Sequence, residues 1–122
     1  MALFSFRTRN PQRDRETDLG RLGQLLGLLR RLQAEIEAEK SGLQARYRQA
    51  QDSAAFALEA FENGDGTDLS GKADELALSM RRYQARIAAL EKQAAFIRNA
   101  ETEATTFYDT LKSAAEEMAK AG

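Results

Sequence analysis

Cysteine, histidine and tryptophan are absent from this chain, and proline occurs once in 122 residues. Without cysteine there is no disulfide framework, no thiolate metal site and no sulfur nucleophile. Without histidine the side chain best matched to proton transfer near neutral pH is missing, as is the commonest metal ligand. Carboxylates and lysines remain, so an enzyme would need a carboxylate- or lysine-based site. That is the most distant of the readings considered, and neither metal nor cofactor is expected.

Long apolar runs are also missing. The longest stretch is Leu25-Leu26-Gly27-Leu28-Leu29, far short of the roughly 20 residues that span a bilayer. The first residues hold no apolar run of the kind a secretory leader needs. The expected location is therefore cytoplasmic. No strong excess of one charge exists either: the net charge is -1. It is unevenly spread, with seven Arg against three acids in residues 1–31 and the acids in excess thereafter. Arg81, Arg82 and Arg86 form the only basic cluster further along. Acids lie nearby and no stacking aromatics interleave, so nucleic acid is not an expected ligand.

What is present is the composition of long helices, rich in Ala, Leu, Glu, Arg and Gln. Asn10-Pro11 reads as a helix start, because Asn caps well and Pro at the first position gives up an N–H that would be orphaned anyway. Thr17-Asp18 is a second candidate start. From there Leu22, Leu29, Ile36, Leu43, Ala50 and Ala57 recur every seven residues. Leu25 and Leu32 are expected to complete a second column that turns polar at Glu39 and Arg46, where Tyr47, Ala54 and Phe61 take over on the adjacent side. Asn63-Gly64-Asp65-Gly66-Thr67-Asp68 then breaks the helix, since glycine and short Asx residues allow the left-handed backbone of a reversal. Its likeness to a calcium-binding loop fails on chemistry. Phe61 would fall at the first ligand position and Lys72 at the bidentate acid.

The second helix carries the clearest signal. From Leu69, alternate steps of four and three pass through Ala73, Leu76, Met80, Tyr83, Ile87, Leu90, Ala94, Ile97, Glu101, Ala104, Tyr108, Leu111, Ala115 and Met118, apolar except at Glu101. Such a seam marks a coiled coil. Folding back about the glycine turn pairs Leu22 with Leu111, Leu29 with Ala104, Ile36 with Ile97, Leu43 with Leu90, Ala50 with Tyr83 and Ala57 with Leu76. Glu101 and Glu103 would then lie beside Arg30 and Arg31, and Glu35 would approach Arg98. A domain-swapped rod, with the turn opened and two chains paired, would keep the same facing residues. The paired glycines of the turn favour the closed form.

The expected fold is thus all-α: an antiparallel two-helix coiled-coil hairpin with an arm over residues 1–10, helix 11–62, turn 63–68 and helix 69–120. Residues 11–122 form one domain in this reading. A hairpin buries one stripe of each helix, whereas ordering the backbone costs about 1–2 kcal/mol per residue. Dimerisation into a four-helix bundle would supply more burial.

Two features suggest where such contacts lie. Gly20, Gly23 and Gly27 each cost a helix up to about 1 kcal/mol relative to Ala. That cost would be offset by close approach of the segment Leu111 to Met118, or by a second chain or partner helix beside Leu28. Phe56, Leu78, Phe96 and Phe107, with Ala85, Ala89, Ala100 and Ala114, are expected on the face opposite the seam. The functional expectation is a non-catalytic protein–protein interaction module, a homodimer that scaffolds, adapts or chaperones an unidentified protein partner. The alternative is a peripheral protein at the inner face of a membrane, using Leu3, Phe4 and Phe6 in the interface and Arg7 and Arg9 at anionic headgroups.

Overall fold

Asn10 caps the first helix as its position before Pro11 predicts. Its side-chain oxygen accepts from the backbone N–H of Gln12 at 3.0 Å and of Arg13 at 3.4 Å. The computed structural model of the chain describes residues 10–64 and 68–121, with the backbone alone for residues 68–70 and 121. It consists of α1, Pro11–Glu62, and α2, Asp68–Ala121, folded as a helical hairpin. Asp14 in the first turn of α1 and Lys120 in the last turn of α2 each suit the helix dipole. At the far end of α1 the N–H of Asn63 donates to the Glu59 carbonyl at 3.1 Å, and that of Gly64 to the Phe61 carbonyl at 3.0 Å. Gly64 takes a φ of 85°, the left-handed conformation that ends helices and that glycine alone adopts cheaply. Asp65, Gly66 and Thr67 of the predicted turn, and the arm residues 1–9, lie outside the described residues.

Contacts divide the chain into two units, each built from a piece of both helices. The terminal unit comprises Met1–Gln33 with Ile97–Gly122. Its core is Leu26, Leu29 and Ala104, against which Ile97, Ala100 and Tyr108 pack. Leu22, Leu111 and Ala115 are half-buried beside them. An ion pair joins Arg30 to Glu101 at 3.1 Å, as the sequence register predicts, and the Arg15 guanidinium donates to the Met118 sulfur at 3.1 Å.

The turn-end unit is Ala34–Phe96. Its buried residues are Ala50, Ala57, Leu90 and Ala94, with Leu90 only 1% exposed. Across its two helices Gln84 donates to the Tyr47 hydroxyl at 3.1 Å. A two-pronged bridge joins Arg86 to Glu39.

Along α2 the predicted seam holds from Ala73 to Ala115, every member being buried or half-buried; Met118, at the end, is exposed. One expectation for α1 needs correction. Leu25 is 43% exposed, whereas its neighbour Leu26 is 6% exposed and belongs to the core. The second column of α1 is therefore Leu26, Gln33, Lys40, Tyr47 and Ala54, all buried or half-buried. The reason lies in the 3.5-residue repeat. A column through Leu26 keeps to one side of the helix for its whole length, whereas one through Leu25 must jump sides at Tyr47. The continuous column accepts Gln33 and Lys40 at its middle, and Glu39 stands beside it where Arg86 can reach.

Candidate interaction surface

On a helix each residue turns the chain by 100°, so position relative to the seam fixes where a side chain emerges. Leu28, Phe56 and Phe96 each come one residue before a seam position, at Leu29, Ala57 and Ile97. Leu25 and Phe107 each come three residues after one, at Leu22 and Ala104. Each of the five emerges some 60–100° from its nearest seam position and to the same hand of it. In an antiparallel pair, equal offsets on the two helices fall on the same side. The Glu39–Arg86 bridge shows this, because each residue comes three after a seam position, at Ile36 and Tyr83. Leu25 and Phe107 therefore lie on a flank beside the seam, and Leu28, Phe56 and Phe96 lie further round on the same side, toward the back. Leu78 and Ala85, each two residues after a seam position, at Leu76 and Tyr83, point away on the back of α2.

Exposure along this flank is pronounced. Phe56, Phe96 and Phe107 are 74%, 71% and 57% exposed, Leu28 is exposed as well, and so is Leu78 on the back. The units differ in how the apolar residues are grouped. In the terminal unit, Leu25, Leu28 and Leu32 line one edge of the flank and Ala100, Phe107 and Ala114 the other. In the turn-end unit, Phe56 and Phe96 stand about 28 Å apart at 1.5 Å per residue. Between them the flank carries Glu39, Arg46, Gln49 and Arg86.

Threonines extend the apolar character of the terminal unit. The hydroxyls of Thr102, Thr106 and Thr110 donate to the carbonyls four residues earlier, at 3.0, 2.9 and 2.9 Å. With their donors satisfied internally, these residues present mainly methyl groups. Together with Glu103 and Phe107 they line a shallow groove of about 410 Å³.

Gly20, Gly23 and Gly27 lie across the seam from this flank, on the side of Arg30, and all three are exposed. A methyl group added at any of them would meet nothing within 4 Å. The expectation that Leu111 to Met118 approaches them closely is thus overturned. The α2 segment faces the seam residues Leu22 and Leu26, and the glycines are turned away from it.

A second groove in the terminal unit, of about 530 Å³, is lined by Arg15, Leu19, Lys112, Ala115, Glu116 and Met118 among others. In the turn-end unit one of about 510 Å³ runs past Tyr47, Gln84 and Ile87. Both are open to solvent, and neither groups acids or lysines in a buried setting. Among the described residues, titration is shifted clearly at the Glu39–Arg86 pair. The hydrogen bond from Arg86 holds the Glu39 carboxyl below the usual range, more strongly than the opposing desolvation, with the Arg86 charge adding to the lowering. Arg86 is raised in return, first by the hydrogen bond to Glu39 and then by its charge.

Among the described residues no group of three or more acids could hold a metal ion, and no helix is long and apolar enough to cross a membrane. Leu3, Phe4, Phe6, Arg7 and Arg9 of the candidate membrane arm lie outside the described residues. No family model, curated protein or solved structure matches the chain.

Proposed function

We propose that this chain is a non-catalytic interaction module: a helical hairpin that associates with a second copy of itself and serves as a scaffold, adaptor or chaperone for a partner helix. One observation carries the reading. Alanines take four buried positions, Ala50, Ala57, Ala94 and Ala104, beside Leu26, Leu29 and Leu90, while Phe56, Phe96 and Phe107 stand in solvent. Aromatic side chains bring the largest hydrophobic gain when covered, and alanine among the smallest. A chain that leaves its described phenylalanines exposed is suited to further association.

The absence of histidine and cysteine and the open character of the grooves support a binding role over a catalytic one.

Sedimentation equilibrium of the full chain from micromolar to hundreds of micromolar tests the self-association. The expected result is a mass that rises with concentration toward twice 13.6 kDa. A concentration-independent 13.6 kDa species would end this reading.

A further inference from the structure

We propose that Met118 is a peroxide-sensitive clasp, whose oxidation to the sulfoxide fastens the end of α2 to Arg15 at the start of α1. This rests on the geometry of the terminal unit alone and is independent of the self-association.

Three observations select this pair. Nη1 of Arg15 donates to the Met118 sulfur at 3.1 Å, and a thioether is only a weak acceptor. The Nε–H of the same guanidinium is buried without a hydrogen-bond partner, an arrangement that weakens a fold until an acceptor is supplied. Third, Met118 is 52% exposed and lines the open groove of about 530 Å³ together with Arg15 and Lys112. A small oxidant can therefore enter beside it, as methionine oxidation requires.

The co-reactant is a hydroperoxide. Sulfur has two lone pairs, so the Arg15 contact leaves one free to attack the distal peroxide oxygen. An S–O bond forms as the O–O bond breaks. The sulfur loses two electrons, and the peroxide, reduced by two, leaves as an alcohol or water carrying the distal oxygen's proton. Reduction by a dithiol reverses the step, releasing a disulfide and water. The new oxygen is one bond from the atom that Arg15 already touches. It accepts from a guanidinium more strongly than sulfur does, and it offers the unmet Nε–H an acceptor.

Methionine oxidation ordinarily disrupts packing by placing a polar group among apolar ones. Met80, half-buried in the seam of the turn-end unit, is in that position. Met118 differs, because it is exposed at the end of the seam and faces a cation with a donor to spare. The same chemistry therefore strengthens a contact there. Chain ends open most readily, so a firmer clasp acts where the hairpin is easiest to fray.

The test uses the full chain carrying Met80→Leu, a volume-conserving change that leaves Met118 the one methionine among the described residues. Dilute hydrogen peroxide oxidises it, and amide hydrogen exchange read by peptide mass spectrometry compares the two forms at one low chain concentration. The Met118 peptide should gain one oxygen. Exchange over residues 11–20 and 111–120 should slow about threefold or more, the scale of one added hydrogen bond. Arg15→Leu in the same background should take up the oxygen and show no slowing. Met118→Gln, whose amide oxygen stands in for the sulfoxide, should slow exchange without peroxide. Exchange that is unchanged or faster on oxidation overturns the inference, and so does a slowing that persists in Arg15→Leu.

Discussion

Arg86 grips Glu39 with two prongs, Nε donating to one carboxylate oxygen at 2.7 Å and Nη2 to the other at 3.2 Å. The bridge ties α1 to α2 beside the seam of the turn-end unit, and both side chains remain open to water. Because the folded carboxyl is held below its ordinary value, the bridge contributes above the ordinary carboxylate range. It is lost as pH falls through the lowered value. The Glu39 carboxyl carbon, followed by NMR titration, should show its midpoint below the model-peptide figure of about 4.3. Arg86→Gln should return that midpoint toward the ordinary value, and an unchanged midpoint would mean the bridge does not form in solution.

Leu90 is the largest fully buried side chain among the described residues. Leu90→Ala should cost about 2–5 kcal/mol, the range for removing a buried leucine when the cavity cannot fully collapse. Leu58→Ala, at a position 54% exposed on the same unit, should change stability by no more than about 0.5 kcal/mol. Urea unfolding at one fixed chain concentration makes the comparison, since association would otherwise shift both midpoints. Equal effects would contradict the placement of the seam.

Gln33 occupies a seam position of α1, and its side-chain oxygen is buried without a hydrogen-bond partner. Replacing it with leucine removes that unmet acceptor and adds apolar area beside the core. Gln33→Leu should therefore stabilise the chain by about 1–2 kcal/mol, read from the same unfolding curves. A destabilised variant would show that Gln33 makes a polar contact that the seam requires.

Gly64 closes α1 with a left-handed backbone. Gly64→Ala should destabilise by about 1–2 kcal/mol, because a Cβ meets the following carbonyl in that conformation. In contrast, Gly23→Ala lies within regular helix with open space around it. It should raise thermal stability of the isolated chain by up to about 1 kcal/mol. Thermal melts by circular dichroism at low concentration would separate the two signs.

The helices, their limits and the seam of α2 are legible in the sequence. They depend on local chemistry: an Asn-Pro start, a glycine stop, and a spacing of four and three that repeats along the chain. The Arg30–Glu101 pair is legible too, since a fixed axis in the turn determines which residues face each other. The choice between Leu25 and Leu26 required the partner helix. Both are leucines one residue apart, and only packing against Ala104 and Tyr108 shows which one enters the core. The glycines and the aromatics also needed the placed helices. Composition marks Gly20, Gly23 and Gly27 as needing a reason, but only the placed helix reveals that α2 does not come near them. Phe56, Phe96 and Phe107 adjoin seam positions that the spacing already marks, Ala57, Ile97 and Ala104, and only the placed helices show that nothing in the chain covers them. A turn of 100° per residue makes a one-residue shift in the seam enough to move a whole stripe, and that shift is settled by tertiary contact alone.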